Sequence, residues 1–171
     1  KGFFSNAIMT SFLGRNENRF EMPAVVFSDP RPYVHFTTIP AIMEARAAFA
    51  RHCGCSLPKM THPLRIMDIG CGNGGMLVLL LQHLQKVGKV GDIGEILLID
   101  PSPAMLELAV KTVGDVYSPS LIKTANCRIE ALSDHLNDRY DVALAALSYH
   151  HMPWDKKLFH LERLRPYFDH F

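Results

Sequence analysis

The chain has 171 residues, a net charge of +1, 48% apolar residues and 20% charged ones. That is enough chain for one compact core, too apolar for a disordered segment, and too neutral to point by charge toward nucleic acid or an anionic membrane. No uninterrupted apolar run is longer than Met76–Leu81, which falls far short of a bilayer span. No basic n-region followed by an apolar stretch marks a secretory signal, so a cytoplasmic protein is expected. Cys53, Cys55, Cys71 and Cys127 read as reduced thiols. The cluster His52-Cys53-Gly54-Cys55 with His62 lacks the spacing and second ligand pair of a zinc site, so no metal is expected.

In chain order, residues 1–60 read as an N-terminal cap or substrate-side segment, and residues 61–171 as the core. Phe3, Phe4, Phe12, Phe20, Phe27 and Phe36 are interleaved with Pro23, Pro30 and Pro32, which disfavours a long helix there. This stretch is expected to pack on another domain or cover a pocket. A helix follows Thr38, with Thr38 as cap, Pro40 in the first turn, and Gly54 at its end. Its inward stripe would be Ile42, Ala45, Phe49 and Cys53. From Leu64 the pattern alternates. Leu64–Ile69 is a strand, Gly70–Gly75 a glycine-rich turn, and Met76–Val87 a helix with apolar positions nearly all round. Glu95–Asp100 is a second strand, and Pro101–Val113 a helix capped by Ser102. Asn126–Ala131 is expected as a third strand and Tyr140–Tyr149 as a fourth. Trp154–Leu164 is a helix with Trp154, Leu158, Leu161 and Leu164 facing inward. Such alternation implies a parallel sheet with right-handed crossovers.

The chemistry concentrates at the ends of these strands. Asp68-Ile69-Gly70-Cys71-Gly72-Asn73-Gly74-Gly75 follows a strand and opens a helix, where backbone N–H groups can meet a nucleotide-type ligand. Glycine belongs there because a Cβ would obstruct the turn or the ligand. Gly70, Gly72 and Gly75 also fit the dinucleotide pattern G-x-G-x-x-G. Asp68 separates the two readings: a carboxylate at the strand end suits an ammonium group and repels a pyrophosphate. Asp100, closing the next strand, can accept hydrogen bonds from both hydroxyls of a ribose.

The stretch D-I-G-C-G-N-G resembles motif I of the class I, Rossmann-like methyltransferases that use S-adenosylmethionine (SAM). Asp100-Pro101-Ser102-Pro103-Ala104-Met105 resembles the D-x-S-x-x-M segment of that family, and the resemblance spans Leu64–Pro166. It implies an α/β fold with a mostly parallel sheet, flanking helices and an N-terminal helical or irregular cap. It also implies SAM as cofactor and a methyl acceptor, with a small molecule favoured and protein or nucleic acid left open. The implied cofactor site comprises Asp68, Gly70, Cys71, Gly72, Asn73 and Gly74 in the loop. Asp100 closes the second strand and Pro101 and Met105 follow it, Glu130 (or, competing with it, Asp134) and the Ala131 N–H meet the adenine, and Ser148 lies at the end of the fourth strand. Tyr149-His150-His151-Met152 resembles the family's motif IV region, where His150 or His151 could take a proton from the acceptor. A structural role for the pair remains open beside it.

Two departures accompany the resemblance. The family's L-[KR]-P-G-G segment is replaced by Leu164-Arg165-Pro166-Tyr167-Phe168, and the N-P-P-Y/F tetrad of many amide- and base-methylating members is absent. The sheet would lack its C-terminal strands, so the polypeptide is expected to continue past Phe171, or a partner chain to cover the fourth-strand edge. The rival functions are a non-catalytic SAM-binding or interaction module and, from glycine spacing and Asp100, an NAD-dependent oxidoreductase.

Overall fold

The computed structural model describes residues 29–149, 152 and 154–171. Two helices, α1 (Arg31–Thr37) and α2 (Pro40–Ser56), precede an alternating unit. That unit runs β1 (Leu64–Ile69), α3 (Gly75–Lys86), β2 (Ile93–Ile99), α4 (Pro103–Gly114), β3 (Ile122–Ala125), β4 (Tyr140–Leu144), α5 (Trp154–Leu164) and β5 (Phe168–His170). The strands are all parallel, in the order β3-β2-β1-β4-β5. The order reverses between β1 and β4, and at such a reversal the carboxyl ends of the strands open a crevice.

Alternation along each strand splits the core in two. Ile66, Ile96, Leu98, Val142 and Leu144 face α2, α3 and α4, where Leu77, Leu80, Leu81, Leu84 and Ala109 are buried. Met67, Ile69, Leu97, Ile99 and Ala143 face the other way, against Leu132, Leu136 and Leu164. The amino ends of the strands are tied by charge. Glu95 receives Tyr140 Oη at 2.7 Å, Lys123 Nζ at 2.7 Å and Arg65 Nη2 at 3.3 Å, so one carboxylate joins four strands.

Several elements differ from expectation for identifiable reasons. The first helix breaks at Thr38, whose N–H and hydroxyl both bond back to His35 O, so Thr38 closes α1 instead of capping α2. Gly54 does not end α2. It lies inside the helix, where a Cβ would come within 2.4 Å of His83 Cδ2. The terminus is held instead by Lys89 Nζ, which donates to the carbonyls of Gly54, Cys55 and Leu57. On α2, Ala45 is exposed and Arg46 is partly buried in its place. The third strand lies at Ile122–Ala125, not Asn126–Ala131: the Asn126 amide turns to Asp100 O at 3.0 Å, and Ile129–His135 forms a 3-10 helix that buries Leu132. The fourth strand stops at Leu144, because Leu147 adopts a left-handed φ of 62° that a ladder does not accommodate. On α5, Trp154 and Leu158 are 49% and 48% exposed, while His160 and Leu164 are buried. The inward face is thus rotated from the expected one.

The β4 edge is also covered differently. Arg165–Tyr167 makes a 3-10 turn into β5, with Tyr167 and Phe168 standing where the family pattern has glycines, and β5 pairs with β4 at Tyr140↔Phe168 and Val142↔His170. Residues before Phe171 therefore supply the neighbouring strand that was expected from beyond it or from a partner.

Candidate functional site

The carboxyl ends of β1, β2 and β4 converge on the glycine loop. Gly70 N and Cys71 N both donate to Ile99 O, at 2.8 and 2.9 Å, which fastens the loop across the top of β2. Gly70, Gly72 and Gly74 have φ of 71°, 54° and 73°, a region that side chains rarely tolerate. At Gly70 a Cβ would also sit 2.4 Å from Ser148 Cβ, so the glycine loop and the segment that follows β4 touch there. Gly75 is outside the left-handed region and begins α3.

Beneath this loop lie two buried carboxylates. Asp68 is 1% exposed, and its Oδ2 has no hydrogen-bond partner. Burial first, and then the nearby Asp100 charge, push its carboxyl up to about 7, against the pull of Arg46. Asp100 is 4% exposed, with Oδ2 accepting from Gly72 N at 3.0 Å and Oδ1 from Ser102 N at 2.9 Å. Burial raises its carboxyl too, and those two backbone donors oppose the rise. Each Asp100 oxygen keeps a lone pair for a further donor. Ser102 caps α4 through Met105 N, as its place before Pro103 implied.

Of the residues read from the sequence, Asp68, Gly70, Cys71, Gly72, Asn73, Gly74, Asp100 and Ser148 come together here. Pro101 and the buried Met105 follow on the first turn of α4. Ser148 Oγ is buried and unpartnered, like Asp68 Oδ2. Glu130 and Ala131 sit on the 3-10 helix after β3. The Glu130 carboxylate lies 3.5 Å from Arg128, and the Ala131 N–H is bonded to Arg128 O at 3.0 Å. The Ala131 N–H is therefore engaged within its own turn, while Glu130 is partly open. Asp134 instead pairs with Arg163 on α5. His150 and His151 lie outside the described residues.

Three site residues were missed in the sequence, all from the N-terminal helices. Arg46 of α2 points Nη2 at Asn73 Oδ1, 3.4 Å away, and stands 3.2 Å from where a Gly75 Cβ would be. Thr37 of α1 accepts from Asn73 Nδ2 at 3.3 Å. Tyr33 of α1 lays its ring tip on Gly72, with Oη at 3.0 Å and Cζ at 3.1 Å from the Cβ position. Burial raises the Tyr33 phenol, Arg46 opposes that, and Asp68 and Asp100 add to it. No local pattern announces these three; the nearest hint was the expectation that the N-terminal stretch covers a pocket.

A family model described as a methyltransferase domain matches residues 66–165. No curated protein matches the chain. Among solved structures, it is similar to a cyclopropane synthase from Mycobacterium tuberculosis, at 15% identity and a TM-score of 0.55, covering 77% of this chain and 41% of that one. It is similar to a conserved hypothetical protein from Streptococcus pyogenes, at 16% identity and a TM-score of 0.50, covering 71% and 67%. It also matches an S-adenosylmethionine dependent methyltransferase from Mesorhizobium loti, at 25% identity and a TM-score of 0.43, covering 67% and 45%. The chain thus spans less than half of two of these three proteins.

Proposed function

The chain belongs to the methyltransferase-domain family, and from that premise we propose that it transfers a methyl group from SAM to a small-molecule acceptor in the cytoplasm. The observation that carries the reading is Asp68 Oδ2, a carboxylate oxygen buried at the end of β1 without a partner. An unsatisfied buried charge is costly and asks for a cationic donor. The ammonium of SAM is such a donor, and the pyrophosphate of NAD is not. The glycine loop supports the same fit: at Gly72 the three atoms nearest a Cβ position all belong to a side chain, Tyr33, and none to backbone.

In this reading Asp68 holds the ammonium, and Arg46 takes the carboxylate of the same amino-acid end. Asp100 accepts from the ribose hydroxyls through its spare lone pairs, and Glu130 receives the adenine amino group. When bound, SAM supplies a methyl group already activated by the positive sulfonium. The chain's own work is then alignment and exclusion of water, and orientation alone can contribute up to about 7–11 kcal/mol. The loop after β4 faces the acceptor, and it carries the strained Leu147 and the buried Ser148 Oγ. His150 or His151 would take the proton that the acceptor hydroxyl or amine gives up, a role worth typically about 10²–10⁴-fold.

Calorimetry tests the cofactor choice. S-adenosylhomocysteine should bind, and NAD should give no comparable heat. A preference for NAD would return the glycine loop to the dinucleotide reading.

A further inference from the structure

The closed state of the site has a consequence for how any ligand enters. Asp68 and Asp100 are 1% and 4% exposed, and the Asp68 oxygen that lacks a partner is shut off from solvent. No ligand can reach that oxygen unless something above it moves. Among the described residues, Arg46 of α2 and Tyr33 of α1 lie near Asp68, and their two helices differ in how firmly they are held. α2, which carries Arg46, buries Ala50 and Gly54 in the core and is fixed at its end by Lys89. α1 has seven residues, of which Thr37 alone is buried, and Arg31, Pro32, His35 and Phe36 are exposed. Its contacts with the loop include the Tyr33 ring on Gly72 and the Thr37–Asn73 hydrogen bond. An element with so few buried contacts opens at low free-energy cost.

We propose that α1 is a self-plugging cap: in the ligand-free protein Tyr33 seats on Gly72, in the space that the cofactor's path to Asp68 requires, and binding proceeds through a minor state with α1 lifted. The plug is the ring, since ring atoms Cε1 and Cζ approach Gly72 as closely as the hydroxyl does, all within 3.0–3.1 Å of the Cβ position. This inference rests on the SAM reading for the identity of the ligand, though not for the closure itself. A capped site binds with its intrinsic affinity multiplied by the open fraction, and minor states of about 0.1–10% are ordinary. Removing the plug therefore speeds association about tenfold or more.

The test uses the ligand-free chain first. Hydrogen exchange of residues 70–75 should accelerate about tenfold in Tyr33→Ala, remain unchanged in Tyr33→Phe, and accelerate in Thr37→Val, which loses the hold on Asn73. Stopped-flow binding of S-adenosylhomocysteine should then be about tenfold faster in Tyr33→Ala than in the parent and equal to the parent in Tyr33→Phe. Unchanged exchange in both Tyr33→Ala and Thr37→Val would overturn the cap. So would accelerated exchange combined with slower or weaker binding in Tyr33→Ala, since Tyr33 would then be a ligand contact and not a plug. Accelerated exchange with no binding of S-adenosylhomocysteine to any form would uphold the closure and overturn the cofactor reading.

Discussion

At the amino edge of the sheet, Glu95 gathers Arg65, Lys123 and Tyr140, and the Arg65 guanidinium also reaches Asp138 at 3.2 Å and stacks 5.0 Å from the Tyr140 ring centroid. Beside it, Asp141 takes both the Arg65 N–H and His62 Nε2, each at 2.8 Å. At the carboxyl edge of the same strands, Asp68 Oδ2 and Ser148 Oγ are buried with no partner, three glycines hold left-handed φ, and Leu147 is strained. One carboxylate is saturated while the other is left wanting. Burial raises Glu95, but Lys123, Tyr140 and Arg65 outweigh it and hold the carboxyl below its usual range. Asp68 has no such partners and is pushed up to about 7. A fully paired Glu95 at one end, and Asp68 Oδ2 and Ser148 Oγ unpaired at the other, divide the sheet into a part that holds and a part suited to receive a ligand.

The division can be broken by exchanging effects between the ends. The largest effect is expected at Asp68. Asp68→Asn leaves a bound ammonium buried without its counter-charge, which costs about 3–5 kcal/mol, so S-adenosylhomocysteine affinity should fall by more than about a hundredfold. The same variant should be more stable than its parent at pH 8. An acid whose folded value is raised loses stability as pH climbs from its unfolded value toward the folded one, here between 3.8 and about 7. Removing that loss gains on the order of 4 kcal/mol above pH 7 and little near pH 4. Melting curves at the two pH values check it; a variant less stable at pH 8 would contradict the account.

Glu95→Ala should do the reverse. Leaving Arg65, Lys123 and Tyr140 without their shared acceptor should cost about 2–3 kcal/mol of stability, or roughly 4–12 °C in melting temperature, with cofactor affinity unchanged. A loss of affinity without a loss of stability would dissolve the distinction between the ends. Asp100→Ala stands between them. It should weaken binding by about one to two decades, because a charged hydrogen bond contributes roughly 1.5–3 kcal/mol. Titration calorimetry reads that directly. The smallest effect is at Leu147, where Leu147→Gly relieves a left-handed φ and should raise stability by about 1 kcal/mol in denaturant unfolding.

What the sequence made legible follows the same line between local and distant forces. β1 runs from Leu64 to Ile69 as expected, and the loop after it, Asp100 and the Ser102 cap were readable because each is specified by neighbours in the chain. Arg46, Tyr33 and Thr37 were not, since what gives them meaning is Gly72 and Asn73, which only folding brings beside them. The α2 terminus failed for the same reason: Gly54 looked like a stop, but Lys89, far along the chain, supplies the cap. The face of α5 failed differently. Trp154, Leu158, Leu161 and Leu164 make a plausible stripe, yet the buried set includes His160, which the apolar pattern discounts. The fourth strand was drawn too long because apolar residues continue past Leu144, while backbone geometry at Leu147 ends the ladder.

The central claim is that the unpartnered Asp68 carboxyl becomes an ammonium partner on binding. Calorimetry of S-adenosylhomocysteine at pH 6, in two buffers of different ionisation enthalpy, measures the protons released. With burial pushing the Asp68 carboxyl up to about 7, binding at pH 6 should release close to one proton, falling toward none at pH 8 and absent in Asp68→Asn. Binding at pH 6 without proton release, or with the same release in Asp68→Asn, would contradict the account.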